Sequence, residues 1–514
     1  MGHDLRTIAA ISGMFALAAC TVGPDFVGPD PALPKRWFTN GAATAPANSA
    51  GSSAAVLEPI DPAWWQAFHD ATLTSLLQRV ADANLDVKTA TVRLAESRFQ
   101  RGAVASAQLP GLNGSARYQH QILGDVSAKG SVIGGLLGSP SGNISSAKPA
   151  DLFTGGFDAS WELDLWGHVR RQVEAADARV QSSEEQRRDA LVSSLAETAR
   201  DYIQLRGTQT LIRIANDNLK VQQDIFQLTQ TRQLKGLTTS LDVESAAAQV
   251  EAIRAQLPSL QQQEAQQINA VSFLLDLPPD ALRGELATGK QVVPGPAQVP
   301  AGIPSDLARR RPDIRAAEAQ LHAATADIGV AVAEFYPSIQ LNGSVGFDAL
   351  KAGNLLTASA ITTNLGPSIS IPIFQGGRLK ATLELRKAQQ VEAAIAYHRT
   401  VLRAWHEVVD ALIAYRSQRQ RRARLARQVE HLRQALSLAR DRYNDGVTGF
   451  TTVLDTARTL LQAEQDHAQT TTDISINLVQ LYKALGGGWE LTYPSAPPEP
   501  PISAKRTFKA GKPA

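Results

Sequence analysis

Three stretches of the chain alternate apolar and polar residues with period two. Phe157, Ala159, Trp161, Leu163 and Leu165 are apolar, while Asp158, Ser160, Glu162 and Asp164 between them are polar. Ile339, Leu341, Gly343, Val345 and Phe347 alternate with Gln340, Asn342, Ser344, Gly346 and Asp348, and Ile369, Ile371 and Ile373 with Ser368, Ser370 and Pro372. Successive side chains of a strand point to opposite faces, so each stretch reads as a strand with one face on an apolar medium and one on water. The pattern predicts strands over 153–165, 337–348 and 365–374, and a less regular one over 111–122. Elsewhere the spacing is helical, with helices expected at 71–107, 167–233, 239–275, 306–335, 376–444 and 452–485. The helices at 167–233 and 376–444 hold no proline, and at 1.5 Å per residue each is on the order of 100 Å long, some three times a bilayer core. Leu191, Leu195, Thr198, Tyr202 and Leu205 step by 4 and 3 as in a coiled-coil seam, which Gln209, Asn216 and Gln223 weaken further on.

The pattern is duplicated. Pro110 and Pro337, 227 residues apart, each end a helical run before an LNGS, and Gly102 and Gly329 share that spacing. DLWGHVR (Asp164 to Arg170) is echoed by PIFQGGRLK (Pro372 to Lys380), and GLTTSLDV (Gly236 to Val243) by GVTGFTTVLD (Gly446 to Asp455). A helix, strand, strand, helix, helix unit therefore occurs twice, over 58–278 and 306–490, joined by a Pro/Gly-rich linker at 279–305. Each half has two strands, too few to close a sheet.

Alternation alone fits a half-buried soluble sheet as well as a membrane barrel. The strand lengths and the aromatics near strand ends (Phe153, Trp166, Phe347, Phe374) favour the barrel. No run of 18 apolar residues follows the N-terminus, so a membrane crossing must use strands. The first 19 residues read as a signal: Arg6, an apolar core from Thr7 to Ala16, then Leu17-Ala18-Ala19 before Cys20, the one cysteine. LAAC resembles a bacterial lipobox, which implies that Cys20 is lipidated. Thr21, where an inner-membrane lipoprotein would carry Asp, implies the outer membrane. Residues 20–57 then form an extended arm and linker, and 491–514 a disordered tail.

A net charge of +2 with 19% charged residues offers no electrostatic case for nucleic acid. GELATGK (Gly284 to Lys290) matches a phosphate loop for seven positions, but Gln291 stands where Ser or Thr would hold magnesium and no apolar strand precedes it. It reads as a linker turn. His398 and His406 are eight apart, beyond chelation from one helix face. No metal, cofactor or catalytic constellation is expected, and the chain does not read as an enzyme.

LAAC with TVGPDF, Trp64-Trp65, SWELDLWGHVR, LARRRPDIRAAEAQL (Leu307 to Leu321), YPSIQLNGSVG, IPIFQGGRL and LYKALGGGW (Leu481 to Trp489) together resemble the TolC-like outer membrane efflux protein family, in its NodT-type lipoprotein subgroup. The resemblance spans Cys20 to about residue 490. It implies a mixed α/β membrane protein: a homotrimer whose chains give four strands each to a twelve-stranded β-barrel, continued by a long α-helical barrel in the periplasm. It also implies passive small-molecule exit, driven by an inner-membrane pump of the resistance-nodulation-division type through a periplasmic adaptor. Protein secretion, or a non-conducting lipoprotein scaffold, are the competing readings.

Candidate gate residues lie at the turns after Gly236 and Gly446. Thr239-x-x-Asp242 and Thr452-x-x-Asp455 share a helix-capping frame, in which the acid satisfies backbone amides. The resemblance instead places a constricting acidic ring at Asp455. Arg458, one turn on, is positioned to pair with an acid. Tyr443 matches a family position that hydrogen-bonds the neighbouring helical pair, with Asp242 as the expected acceptor, and Thr448 departs from the Arg of some relatives.

Overall fold

A computed structural model describes residues 21–30, 55–56, 61–121, 150–287, 295, 299–300, 307–354 and 357–492. The expected signal, Cys20, the tail beyond 492 and most of the loop after the first long strand lie outside the described residues. In chain order the elements are β1 (Ala55–Val56), α1 (Ala71–Ala83), α2 (Leu85–Ala105), β2 (Gly111–Gln121), β3 (Ala150–Glu162), α3 (His168–Leu234), α4 (Ser240–Leu274) and α5 (Arg283–Leu286). There follow β4 (Val299–Pro300), α6 (Leu307–Arg310), α7 (Pro312–Ala333), β5 (Ser338–Ala349), β6 (Ile361–Ser370), α8 (Arg378–Asn444), α9 (Phe450–Ala484) and α10 (Trp489–Thr492), with short 3-10 turns between. Among the described residues, no helix is long and apolar enough to cross a membrane.

The described residues form two compact units, within 21–27, 98–179 and 321–392, and within 28–97, 180–320 and 393–492. In the first, four antiparallel strands lie in the order β2-β3-β5-β6. Their register stacks like with like: Gly114, Phe157, Val345 and Thr363 share one row, Leu112, Ala159, Gly343 and Leu365 another. The intervening rows are polar, as in Asn113, Asp158, Ser344 and Asn364. Alternation in each strand thus becomes one apolar and one polar face of the whole sheet. Phe157, Val345 and Leu365 are exposed, so none of the described residues covers the apolar face.

Strand ends differ from the sequence reading where pairing decides them. β6 occupies 361–370, not 365–374, because its partner begins only at Ser338 and the ladder ends at Ser338 with Ser370. Ile371 and Ile373 therefore follow the strand, and Pro372 has no N–H to extend it. β3 runs 150–162, not 153–165, since Ala150 pairs with Gln121 and Glu162 with Gln340.

The arm residues 21–26 lie against this unit without regular structure. Arg171, with 4% of its side chain exposed, donates to the Val22 carbonyl at 3.2 Å and to Asp25 at 2.6 Å, and Phe26 stacks on His322 at 4.4 Å. A Cβ on Gly23 would stand 2.5 Å from the Cα of Gly329, which explains the second glycine of the repeat. Gly102, its counterpart, has no neighbour within 4 Å.

The second unit holds the largest apolar core, with Trp64, Leu73, Leu195, Tyr202, Ile268, Leu478 and Leu481 buried. The single helix expected at 71–107 is broken at Asn84, which is extended at φ −60°, ψ 132°. Asn84 Oδ1 accepts the N–H groups of Asp86 and Val87, its amide donates to the Leu274 carbonyl, and these bonds outweigh helix continuation. The helix expected at 306–335 is broken in turn at Arg311, with Pro312 at the first helical position of α7. Arg311 donates to both Asp313 oxygens, to Glu407 and to the Ala484 carbonyl. Gly486, at φ +72°, packs on it so closely that a Cβ would stand 2.9 Å from its Cγ. The RRPDI and LYKALGGGW motifs therefore meet as structural partners. The parallel pair β1–β4, Ala55 with Val299, has no signal in the sequence.

Candidate functional site

Both turns of the second unit are built alike at first. After α3, Gly236 at φ +71° donates to the Gln233 carbonyl and Leu237 to that of Arg232. After α8, Gly446 at φ +73° donates to Tyr443 and Val447 to Arg442. These are paired six-to-one and five-to-two bonds that close a helix C-terminus around a left-handed glycine.

The turns then diverge. Thr239 caps α4: its hydroxyl accepts the Asp242 N–H at 3.3 Å, and Asp242 Oδ2 accepts from the Thr239 N–H at 3.3 Å and hydroxyl at 3.0 Å, and from the Thr238 hydroxyl at 2.5 Å. The Thr238 hydroxyl first, and Thr239 with it, holds the Asp242 carboxyl below its ordinary range. In the other turn α9 starts at Phe450, two residues before the expected Thr452, with Gly449 as the cap and no side-chain cap bond. Thr452 thus stands where Asp242 stands in the first turn, and Asp455 lies one helical turn deeper. The shared capping frame is corrected on this point: Asp455 cannot cap α9, and its carboxylate is exposed, with no hydrogen bond or ion pair among the described residues.

Arg458 does not pair with either acid; its Nε donates to Gln249 Oε1 at 2.6 Å and ties α9 to α4. Tyr443 is buried, its ring 4.5 Å beneath the Arg232 guanidinium and 5.7 Å from Phe450. Its hydroxyl has no partner among the described residues, so the expected bond to Asp242 is not made within one chain. Arg232, Thr238 and Gln249 belong to this site and were not anticipated. Arg232 carried a signal, a cation in the last turn of a helix, where it donates to the Asn444 carbonyl across the two turns at 3.1 Å.

Removing the capping acid of the first turn gives a defined expectation. Asp242→Ala lowers stability by about 0.5–2 kcal/mol at neutral pH. Because the folded carboxyl titrates below its unfolded value of about 3.9, this contribution is present above pH ~4 and lost as pH falls further. Denaturant melts of the detergent-solubilised chain at pH 7 and pH 3 check it: an equal penalty at both excludes the carboxylate as its source.

The model of the outer membrane efflux protein family matches residues 76–276 and 303–487. The chain is 32% identical over 495 residues to the antibiotic efflux pump outer membrane protein ArpC of Pseudomonas putida, covering 95% of this chain and 96% of that one. It is 32% identical over 503 residues to nodulation protein T of Rhizobium leguminosarum, covering 97% and 96%. Among solved structures, the outer-membrane channel OprN superposes with a TM-score of 0.82 at 33% identity, covering 91% of this chain and all of that one. The channel CusC superposes with a TM-score of 0.74 at 26% identity. A duplicated strand-and-helix unit, a sheet with one uncovered apolar face and a match along both halves agree: the chain belongs to the outer membrane efflux protein family.

Proposed function

We propose that the chain is one third of an outer-membrane duct through which small molecules leave passively, driven by an inner-membrane pump through a periplasmic adaptor. One observation carries this reading. Among the described residues the sheet has two unpaired edges, β2 and β6, and an apolar face left exposed. Backbone groups at those edges cannot remain unpaired in lipid, so the sheet must close with copies of itself. Three copies give twelve strands, an even number whose interior is wider than the side-chain-filled eight-stranded barrel. Strands of 11, 13, 12 and 10 residues suit a tilted crossing of about 9–11.

Relatives are named for export of antibiotics and of toluene. For this chain the compound is set by the pump, which the resemblance suggests is of the resistance-nodulation-division type. The duct needs no cofactor beyond a covalent lipid on Cys20. Asp455, exposed and without a partner among the described residues, serves as the narrow acidic ring, and Tyr443 keeps its hydroxyl for a neighbouring helical pair. Single-channel recording in planar bilayers tests the duct, since a scaffold that tethers membranes gives no unitary conductance.

Lipidation is tested separately. Radioactive palmitate should label the wild-type chain and leave Cys20→Ser unlabelled, with assembly reduced and transport retained because the barrel inserts by itself. Equal labelling would remove Cys20 as the anchor.

A further inference from the structure

On α9 the apolar core of the second unit is interrupted. Ala463 belongs to one buried cluster and Ile474 to another, and the face between them carries Glu464, His467, Ala468, Thr471 and Thr472. Arg213, Ile214 and Asp217 of α3 and Arg422, Ala426 and Val429 of α8 recur at helical spacing, so each helix turns one face to the same gap. The three faces enclose a cavity of about 560 Å³, the size of a small-molecule site. Its charges are not all paired. Glu464 is neutralised, since Arg433 donates to its Oε1 at 2.7 and 3.1 Å and Asn218 to its Oε2 at 3.0 Å. Arg422 uses only its Nε, on the Thr471 hydroxyl at 3.0 Å, and Arg213 and Asp217 have no hydrogen bond or ion pair among the described residues. Two guanidinium groups therefore stand against one exposed carboxylate, Asp217, and the cavity holds a positive charge in excess. His467 Nε2 is shut off from solvent without a partner among the described residues, a costly state for a polar atom. Burial first, then Arg422 and Arg433, hold its imidazole below the ordinary range, so the ring is neutral at pH 7.

We propose that this cavity binds a small aromatic carboxylate, its charge on the free guanidinium nitrogens of Arg422 and Arg213 and its ring on Ile214, Ala426 and Val429. The planar fork of an arginine matches a carboxylate in geometry as well as charge. An inorganic anion would leave most of the volume and the apolar lining uncovered, whereas an aromatic ring removes that lining from water. Three helices of one chain build the site, so it does not depend on the duct reading. Bound carboxylate also favours the charged form of His467, so binding takes up a proton. Affinity therefore rises as pH falls through the histidine range, about 6.5, while the ligand stays ionised. The groups that set this titration are Arg213 and Asp217 on α3, Arg422 and Arg433 on α8 and Glu464 on α9.

The test titrates para-trifluoromethylbenzoate into the detergent-solubilised full-length chain and follows it by fluorine NMR, with para-trifluoromethylbenzyl alcohol reporting simple partition into detergent. Saturable binding of the carboxylate and none of the alcohol is expected. Arg422→Gln should weaken binding about tenfold by removing a charge-assisted pair of hydrogen bonds, and Asp217→Asn should tighten it several-fold. Ala426→Trp should block the ring without removing any charge. Arg427→Gln, an exposed arginine outside the cavity, should change nothing. His467→Gln should bind as wild type does at pH 8 and lose the several-fold gain seen at pH 5.5, which a merely structural role would not produce. Should Arg422→Gln fail to fold, Arg213→Gln, at an exposed position, carries the same expectation. Equal behaviour of carboxylate and alcohol overturns the site, as does wild-type affinity in both Arg213→Gln and Ala426→Trp. Displacement of the probe by an equal concentration of inorganic sulfate overturns the aromatic class. Conductance in bilayers is a separate measurement, so the loss of either result leaves the other standing.

Discussion

Phe157→Lys should abolish assembly in the outer membrane, while Ser160→Lys, three residues away, should assemble and conduct. Phe157 is central in β3, 60% exposed, in a row with Gly114, Val345 and Thr363. Its face is the one that must meet lipid if the polar rows are to meet water. A lysine there costs about 2–4 kcal/mol near the bilayer midplane, and in the proposed ring of three copies this would become on the order of 6–12 kcal/mol. That is comparable with the whole stability of an ordinary domain, about 5–15 kcal/mol. Ser160 shares the opposite face with Asn342 and Gly366, where a charge stays hydrated. Trp161 is a poorer site for the experiment: it lies next to the strand end, and its indole N–H donates to the Gln108 carbonyl at 3.1 Å. Heat-modifiable oligomer on gels and bilayer conductance read the outcome. Equal assembly of the two variants would show that the faces are assigned the wrong way round.

Asp455→Ala should change the pore without unfolding it. The carboxylate caps nothing and pairs with nothing among the described residues, so its loss removes no bond there. In a ring of three it would recur at each copy's turn, and like charges held close at a narrow end attract cations and exclude anions. Removing them should move the reversal potential toward anion permeability and raise resting conductance several-fold, with a melting temperature within about 2 °C of wild type. Asp242→Ala should do the reverse: a stability loss and little change in selectivity. Unchanged reversal potential in Asp455→Ala would exclude it from the conduction path.

Local rules made much of this chain legible. Period-two alternation located β2, β3 and β5 to within three residues, because the side-chain period is a property of the strand itself. The two helices of 67 residues were bounded within two residues by glycines that close helix ends. The seam of Leu191, Leu195, Tyr202 and Leu205 is buried as its spacing implied. A period, a glycine stop or a run without proline acts over a few residues, and the sequence displays it directly.

The remainder depended on partners far away in sequence. β6 moved because β5, not its own isoleucines, decides where pairing ends. Asn84 breaks a periodic helix because Leu274 and Ser194 supply the bonds that hold it extended. The two threonine–aspartate frames looked equivalent by spacing, yet only Thr239 caps, because α9 begins at Phe450 and leaves Asp455 a turn inside the helix. The sequence by itself determined that there are two copies of one unit, four amphipathic strands and helices too long for a globule, since these follow from periodicity. Only the tertiary structure decided that Asp242 is a cap, that Arg458 binds Gln249 and that Asp455 stands free, since a hydrogen bond depends on what the folded chain brings within about 3 Å.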